Sequence, residues 1–163
     1  MIIDAFAFAR NGEIRTGEIP IASLTRLDVL AHQGVLTYAA RGLIGERGRS
    51  FVELEVQGSL TLRCERCLQP MQWRLDLTSR LWLAKDEAEA DTLPIEQDTY
   101  DVVVGSEHFD LNVLIEDEVI LAMPVDPKHE QCPNPLEFTN QRESSPFDVL
   151  KHLKKPDEGA TSH

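Results

Sequence analysis

No apolar run in the 163 residues approaches the ~20 that a membrane-spanning helix requires. The first ten residues, with Asp4 and Arg10 among them, are too short and wrongly charged for a secretory leader. A cytoplasmic protein with no membrane partner is therefore expected. Cysteine is scarce and odd in number: Cys64, Cys67 and Cys132. Without an export signal, these are expected as reduced thiols or metal ligands and not as a disulfide framework. Lysine is absent from the first 80 residues, whose ten Arg face nine acids for a net charge of +1. Residues 81–163 hold six Lys and Arg against 19 acids, a net of −13, and Asp86–Glu118 has 12 acids and no Lys or Arg. The overall charge of −12 argues against a generic nucleic-acid binder. Its concentration in one half describes a polarised molecule, with the acids either a solubilising face or a surface for an oriented partner.

Catalytic signatures are also missing. There is no P-loop, dinucleotide fingerprint, H-E-x-x-H or nucleophile elbow. The three carboxylates of Glu116-Asp117-Glu118 are consecutive, so on a helix they point about 100° apart and cannot work as a pair. No catalytic residue is assigned, and the chain is not expected to be an enzyme.

What is present is periodic. From Val52 to Leu62, apolar residues alternate with Glu53, Glu55, Gln57, Ser59 and Thr61. Met71–Leu83 repeats the pattern, with Met71, Trp73, Leu75, Leu77, Leu81 and Leu83 on one face and Gln72, Arg74, Asp76, Thr78 and Arg80 on the other. That is the period of half-buried antiparallel strands. The eight residues Arg63–Pro70 join them into a long hairpin. Further strands are expected over the first ten residues, with Phe6 and Phe8 on one face, and over Val35–Ile44 and Thr99–Val104. Ser23 is positioned to cap a short helix through Leu24, Leu27 and Leu30. Asp110 caps a longer one that runs to Ala122, buries Leu111, Leu114, Ile115, Leu121 and Ala122, and stops before Pro124. A last amphipathic helix from Ser145-Pro146 presents Phe147, Leu150 and Leu153 as a docking element. The expectation is one α+β domain over residues 1–155, mainly antiparallel sheet with a long hairpin, one packed helix and a peripheral C-terminal helix. Residues 156–163 are expected to be a disordered tail.

Cys64-x-x-Cys67 at the hairpin tip and His129-x-x-Cys132 in a proline-rich loop are two ligand-spaced pairs. Together they supply the three Cys and one His of a closed tetrahedral zinc site, if the fold brings them together. Unmetallated thiols and a redox C-x-x-C remain as alternatives, although redox motifs favour a helix N-terminus and this one joins two strands.

The residues Cys64-Glu65-Arg66-Cys67-Leu68-Gln69-Pro70, the run Asp110-Leu111 through Ile115–Pro124, then His129, Cys132 and Ser145–Leu150 resemble the bacterial YceD family, the large ribosomal RNA subunit accumulation proteins. The resemblance covers roughly residues 50–155. It implies a cytosolic, non-catalytic factor in large-subunit ribosomal RNA accumulation, processing or ribosome assembly. In that role Arg63, Arg66, Arg74 and Arg80, with Arg41, Arg47 and Arg49 close by in sequence, would face ribosomal RNA or a pre-ribosomal particle. The acidic half would meet a basic ribosomal protein. A protein-only adaptor for such a partner, and a zinc or thiol enzyme, are the competing functions. One further residue stands out. Glu118 falls inside the apolar stripe of its helix, where an unpaired charge is costly, so either the helix turns it to solvent or an ion pair with Arg66 or backbone N–H donors from a loop meet it. Glu116 is expected on the exposed side.

Overall fold

The computed structural model describes residues 1–31, 33–92 and 100–133. In chain order the elements are β1 (Ile2–Ile3), α1 (Ala5–Asn11), β2 (Ile14–Pro20), α2 (Leu27–Leu30), β3 (Gly34–Ile44), β4 (Ser50–Arg63), β5 (Pro70–Ala84), α3 (Glu87–Ala90), β6 (Asp101–Val104), β7 (Phe109–Asp110) and α4 (Leu111–Ala122). The architecture is α+β with a mostly antiparallel sheet, as the sequence patterns predict. Five strands lie in the order β2-β3-β4-β5-β6, and β1 pairs with β7 in a separate small ladder.

The expected long hairpin is β4 and β5, paired antiparallel from Phe51 opposite Trp82 to Arg63 opposite Pro70. Its alternation sorts as read, with Glu53 on the outer side but half-buried. Val52, Leu54, Val56, Leu60, Leu62 and Leu75 are buried, Trp73 and Leu77 pack half-buried against them, and Glu55, Arg74 and Asp76 are exposed. Because side chains alternate with period two, one register satisfies the whole set. Helices α1 and α4 cover this inner face, α1 against β3 and β4, α4 against β4 and β5. The core comprises Phe8 and Ala9 of α1, the inner residues of β3–β5, and Leu111, Leu114, Ile115 and Val119 of α4.

Several local expectations change. The first ten residues are mainly helix, because Asp4 accepts a hydrogen bond from the Ala7 amide and Gly12 closes the C-terminus at φ 61°. Phe8 is thereby buried with Ala5 and Ala9. Ser23 caps nothing. It ends a 3₁₀ turn, Ile21–Ser23, and α2 begins at Leu27 without a side-chain cap of its own. Strand β6 begins at Asp101 and runs parallel to β5. On α4, Asp110 caps as expected, accepting from the Asn112 amide, but Leu121 is 79% exposed and Val119 takes its place in the core. The helix at Ser145 and the tail at 156–163 lie outside the described residues. No described helix is long and apolar enough to cross a membrane.

Candidate metal centre and nucleic-acid interface

At the tip of the β4–β5 hairpin the chain turns within Cys64–Gln69. The Cys64 amide donates to the Gln69 carbonyl, and the Leu68 amide donates back to the Cys64 carbonyl. Leu68 adopts φ 60°, a left-handed conformation that is strained for a residue with a branched side chain and is held here by the surrounding bonds. This turn aims both sulfurs inward, and Cys64 and Cys67 are buried. The segment after α4 crosses the tip, anchored where the Glu65 amide donates to the Pro127 carbonyl. It delivers His129 and Cys132 to the same place.

The two pairs that are 61 residues apart in sequence thus meet. Ligand atoms of Cys64, Cys67, His129 and Cys132 all lie within 4.8 Å of one another. Cys64 Sγ is 3.9 Å from Cys132 Sγ, and Cys67 Sγ is 3.4 Å from His129 Nδ1. A tetrahedral ion with sulfur bonds of about 2.3 Å would set ligand edges of about 3.5–3.8 Å. The donor set and its spacing therefore fit a zinc ion. His129 Nε2 is 3.2 Å from the Pro70 carbonyl, so the tautomer that donates there leaves the Nδ1 lone pair facing the cysteines.

The thiols are electrostatically unequal. Burial works to raise the Cys64 pKa, but backbone N–H groups of His129, Cys67 and Arg66 and the Cys67 thiol outweigh it, and the value falls to about 5. Cys132 is pushed up to about 11 by burial, by its hydrogen bonds with Cys67 and Cys64, and by their like charge. One thiolate is favoured and successive ones repel. A divalent cation is the group that would let all three ionise together.

The arginines expected to face RNA are distributed along the hairpin. Arg63, Arg66, Arg74 and Arg80 are all exposed. Arg63 and Arg66 flank the cysteine tip, and the Arg66 amide, not its guanidinium, faces Cys64. Arg80 lies opposite Glu53, ten residues along β4 from Arg63, a distance of about 33 Å. There its guanidinium sits 4.8 Å over the Phe51 ring and 3.8 Å from Glu53.

The expected Arg66–Glu118 ion pair does not form, and among the described residues no loop N–H donates to Glu118. Glu118 is 8% exposed and accepts a 2.5 Å hydrogen bond from the Ser79 hydroxyl of β5. Ser79 stands nine residues along β5 from Pro70, roughly 30 Å, so the hairpin tip where Arg66 sits is out of reach of Glu118. Glu116, expected outside, is 5% exposed. Its carboxylate accepts from the Arg26 and Leu27 amides at 2.6 and 3.0 Å and from the Arg26 guanidinium at 2.9 and 3.0 Å, and so caps α2 from another element. A helical wheel assumes one buried face, whereas α4 is covered by β4 and β5 on one side and by α2 on another. Two signals for these contacts stand in the sequence: Ser79 is a polar residue in the apolar phase of β5, and Glu118 one in the apolar stripe of α4.

The family described as Large ribosomal RNA subunit accumulation protein YceD matches residues 52–154, which contain the hairpin, the four ligand residues and α4. A protein of that name from Haemophilus influenzae is 28% identical over 113 residues, covering 62% of this chain and 63% of its own length. The chain thus spans less than two thirds of that relative. No solved structure matches. With more than half of its length matched, from the β4 strand through both ligand pairs, the chain belongs to the YceD family.

Proposed function

We propose that this protein is a non-catalytic cytoplasmic factor that supports accumulation of large-subunit ribosomal RNA, acting in its processing or in assembly of the subunit. The observation that carries the reading is the family match, which spans the Cys/His cluster and the hairpin that presents it. Cys64, Cys67, His129 and Cys132 would hold one structural zinc ion. Its task would be to clamp the hairpin tip to the segment after α4, with Arg63 and Arg66 projecting beside it. Three thiolates and an imidazole fill a tetrahedral ion, leaving no position for a substrate, which supports a structural role and not a catalytic one. Arg63, Arg66, Arg74 and Arg80 would contact RNA phosphates, and the acidic half would remain free for a basic ribosomal protein.

The test is ultraviolet crosslinking in cells followed by sequencing of the bound RNA, alongside depletion of the protein. The expected result is crosslinks to large-subunit ribosomal RNA and a fall in that RNA relative to the small-subunit RNA. Crosslinks to a ribosomal protein alone would favour the protein-only adaptor. Turnover of RNA by purified protein, abolished by Cys67→Ser, would replace both with an enzyme.

A further inference from the structure

Two aromatic residues occupy the wrong phase of the sheet. Phe51 and Trp82 lie directly opposite each other on β4 and β5 and point to the outer face, away from α1 and α4. Yet they are only 4% and 3% exposed. Arginines help to cover them. The Arg49 guanidinium stands 4.7 Å over the Trp82 ring, and that of Arg80 stands 4.8 Å over Phe51. Tyr100 meets Phe51 edge-on at 5.3 Å, and its hydroxyl accepts a 2.8 Å hydrogen bond from Arg49 Nη1. The β3–β4 turn closes over the group at Gly45, where a Cβ would fall 2.6 Å from the Phe51 ring and 3.7 Å from Arg80 Nη2.

We propose that this end of the outer face is a phosphate-binding site for an RNA backbone, with Arg49 and Arg80 as its paired anion ligands. The proposal rests on the ribosomal RNA reading above and locates the contact. Charge balance separates these arginines from Arg26. Arg26 is neutralised by Glu116 at 2.9 Å and Asp117 at 2.5 Å. Arg49 has no carboxylate within 4.0 Å among the described residues, and Arg80 reaches only Glu53, through Nε at 3.8 Å. Glu53 also lies opposite Arg41 on β3, so one acid serves a row with two cations. Arg47, exposed in the adjoining turn beside Glu46, places a third guanidinium near the pair.

Stacking holds both forks in place before any ligand arrives, so little side-chain freedom remains to be lost on binding. A lysine could not stack in this way, and every cation in the first 80 residues is Arg. The geometry also selects the mode of contact. Covered rings cannot stack on bases, which leaves the guanidinium edges to bridge phosphate oxygens. Beyond the cluster the outer face of β4 and β5 continues with Gln57, Ser59, Thr61, Gln72 and Thr78 among Glu55, Asp76 and Arg74, a polar surface in which the net positive charge gathers at the Arg49–Arg80 end and which lacks the apolar anchor of a protein partner.

The experiment titrates the full-length protein into a fluorescein-labelled 12-nucleotide single-stranded RNA over a range of salt, read by anisotropy. Arg49→Gln and Arg80→Gln should each weaken binding about tenfold and lower the slope of log K against log salt by about 0.7 for each phosphate no longer neutralised. Arg10→Gln, on α1 across the sheet, should leave both unchanged. Circular dichroism and Trp emission report folding, and Arg47→Gln in the exposed turn gives a second route to the same fall in slope if a stacked variant fails to fold. Wild-type binding with unchanged affinity and slope in all three variants would overturn this site while leaving RNA binding intact. Absence of wild-type RNA binding would overturn the site together with direct RNA recognition. Polyglutamate competing as well as unlabelled RNA would overturn the choice of RNA.

Discussion

Glu118 and Glu116 are two residues apart on α4 and respond to pH in opposite senses. Burial holds the Glu118 pKa above the ordinary carboxylate range, relieved in part by the Ser79 hydroxyl and reinforced by the charges of Asp101 and Asp117. A folded-state value above the unfolded one means that Glu118 favours the fold most below the unfolded pKa of about 4.3, and that this is lost as pH rises through the folded value. Glu118→Gln should therefore raise the urea midpoint at pH 7 and lose that advantage at pH 4; a lower midpoint at pH 7 would contradict the assignment. For Glu116, burial again acts upward, but the Leu27 amide and the amide and guanidinium of Arg26 prevail and the pKa falls below the ordinary range. Its contribution is present above about pH 4.3 and lost as pH falls through the folded value. Glu116→Ala strips the acceptor from two backbone donors and should cost roughly 2 kcal/mol at pH 7, measured by urea denaturation. Asp117→Ala, which removes only the exposed half of the Arg26 ion pairing, should change stability by less than about 1 kcal/mol.

Helix α4 shows how an element's surroundings decide which of its apolar residues matter. Leu114 and Ile115 are buried between helix and sheet, whereas Leu121 faces away. Leu114→Ala or Ile115→Ala should destabilise by about 2–5 kcal/mol, and Leu121→Gln by less than about 0.5 kcal/mol, in the same denaturation assay. The β4–β5 hairpin depends on a different device at its tip, where four ligand atoms converge. If zinc fills that set, freshly purified protein should carry about one equivalent by elemental analysis, since a closed site holds one ion. Chelation should then expose Cys64, Cys67 and Cys132 to alkylation, while far-ultraviolet circular dichroism of the sheet persists. Full alkylation without chelator, in metal-free protein as isolated, would mean that the cluster is a set of free thiols.

Across the molecule, the sheet separates two environments. Its inner face is sealed by α1 and α4, and the outer face of β4 and β5, apart from the covered Phe51–Trp82 pair, carries polar and charged side chains. The hairpin spans this sheet lengthwise, with the cysteine tip at one end and the Arg49–Arg80 pair at the other, and so ties the two candidate functional regions to one rigid element. Strand β4 is hydrogen-bonded on both edges and covered on one face. Amide hydrogen exchange should therefore be slowest in β4, while α3, which buries no residue, should exchange near the rate of an open chain. Exchange in β4 as fast as in α3 would require the sheet to open as a whole far more readily than this packing allows.

The strand phases of β4 and β5, the cap at Asp110 and the ligand spacing of Cys64, Cys67, His129 and Cys132 are legible in the residues alone, because each depends on neighbours in sequence: a period of two, a capping side chain, a pair of donors three apart. The start of the chain carries two conflicting local signals. The alternation of Phe6 and Phe8 points to a strand, but the caps Asp4 and Gly12 prevail and the segment is helix. The remaining contacts join elements that sequence order does not relate. That His129 and Cys132 meet the hairpin tip follows from where α4 ends and how the next segment crosses it. Glu116 is buried because α2 packs beside α4, and Glu118 meets Ser79 because α4 packs on β5. Phe51 and Trp82 fall in the polar phase of their strands, and the β3–β4 turn, Tyr100 and two arginines close over them. Local patterns set which face of an element is apolar; the packing of one element on another decided which polar groups were buried, and with what partners.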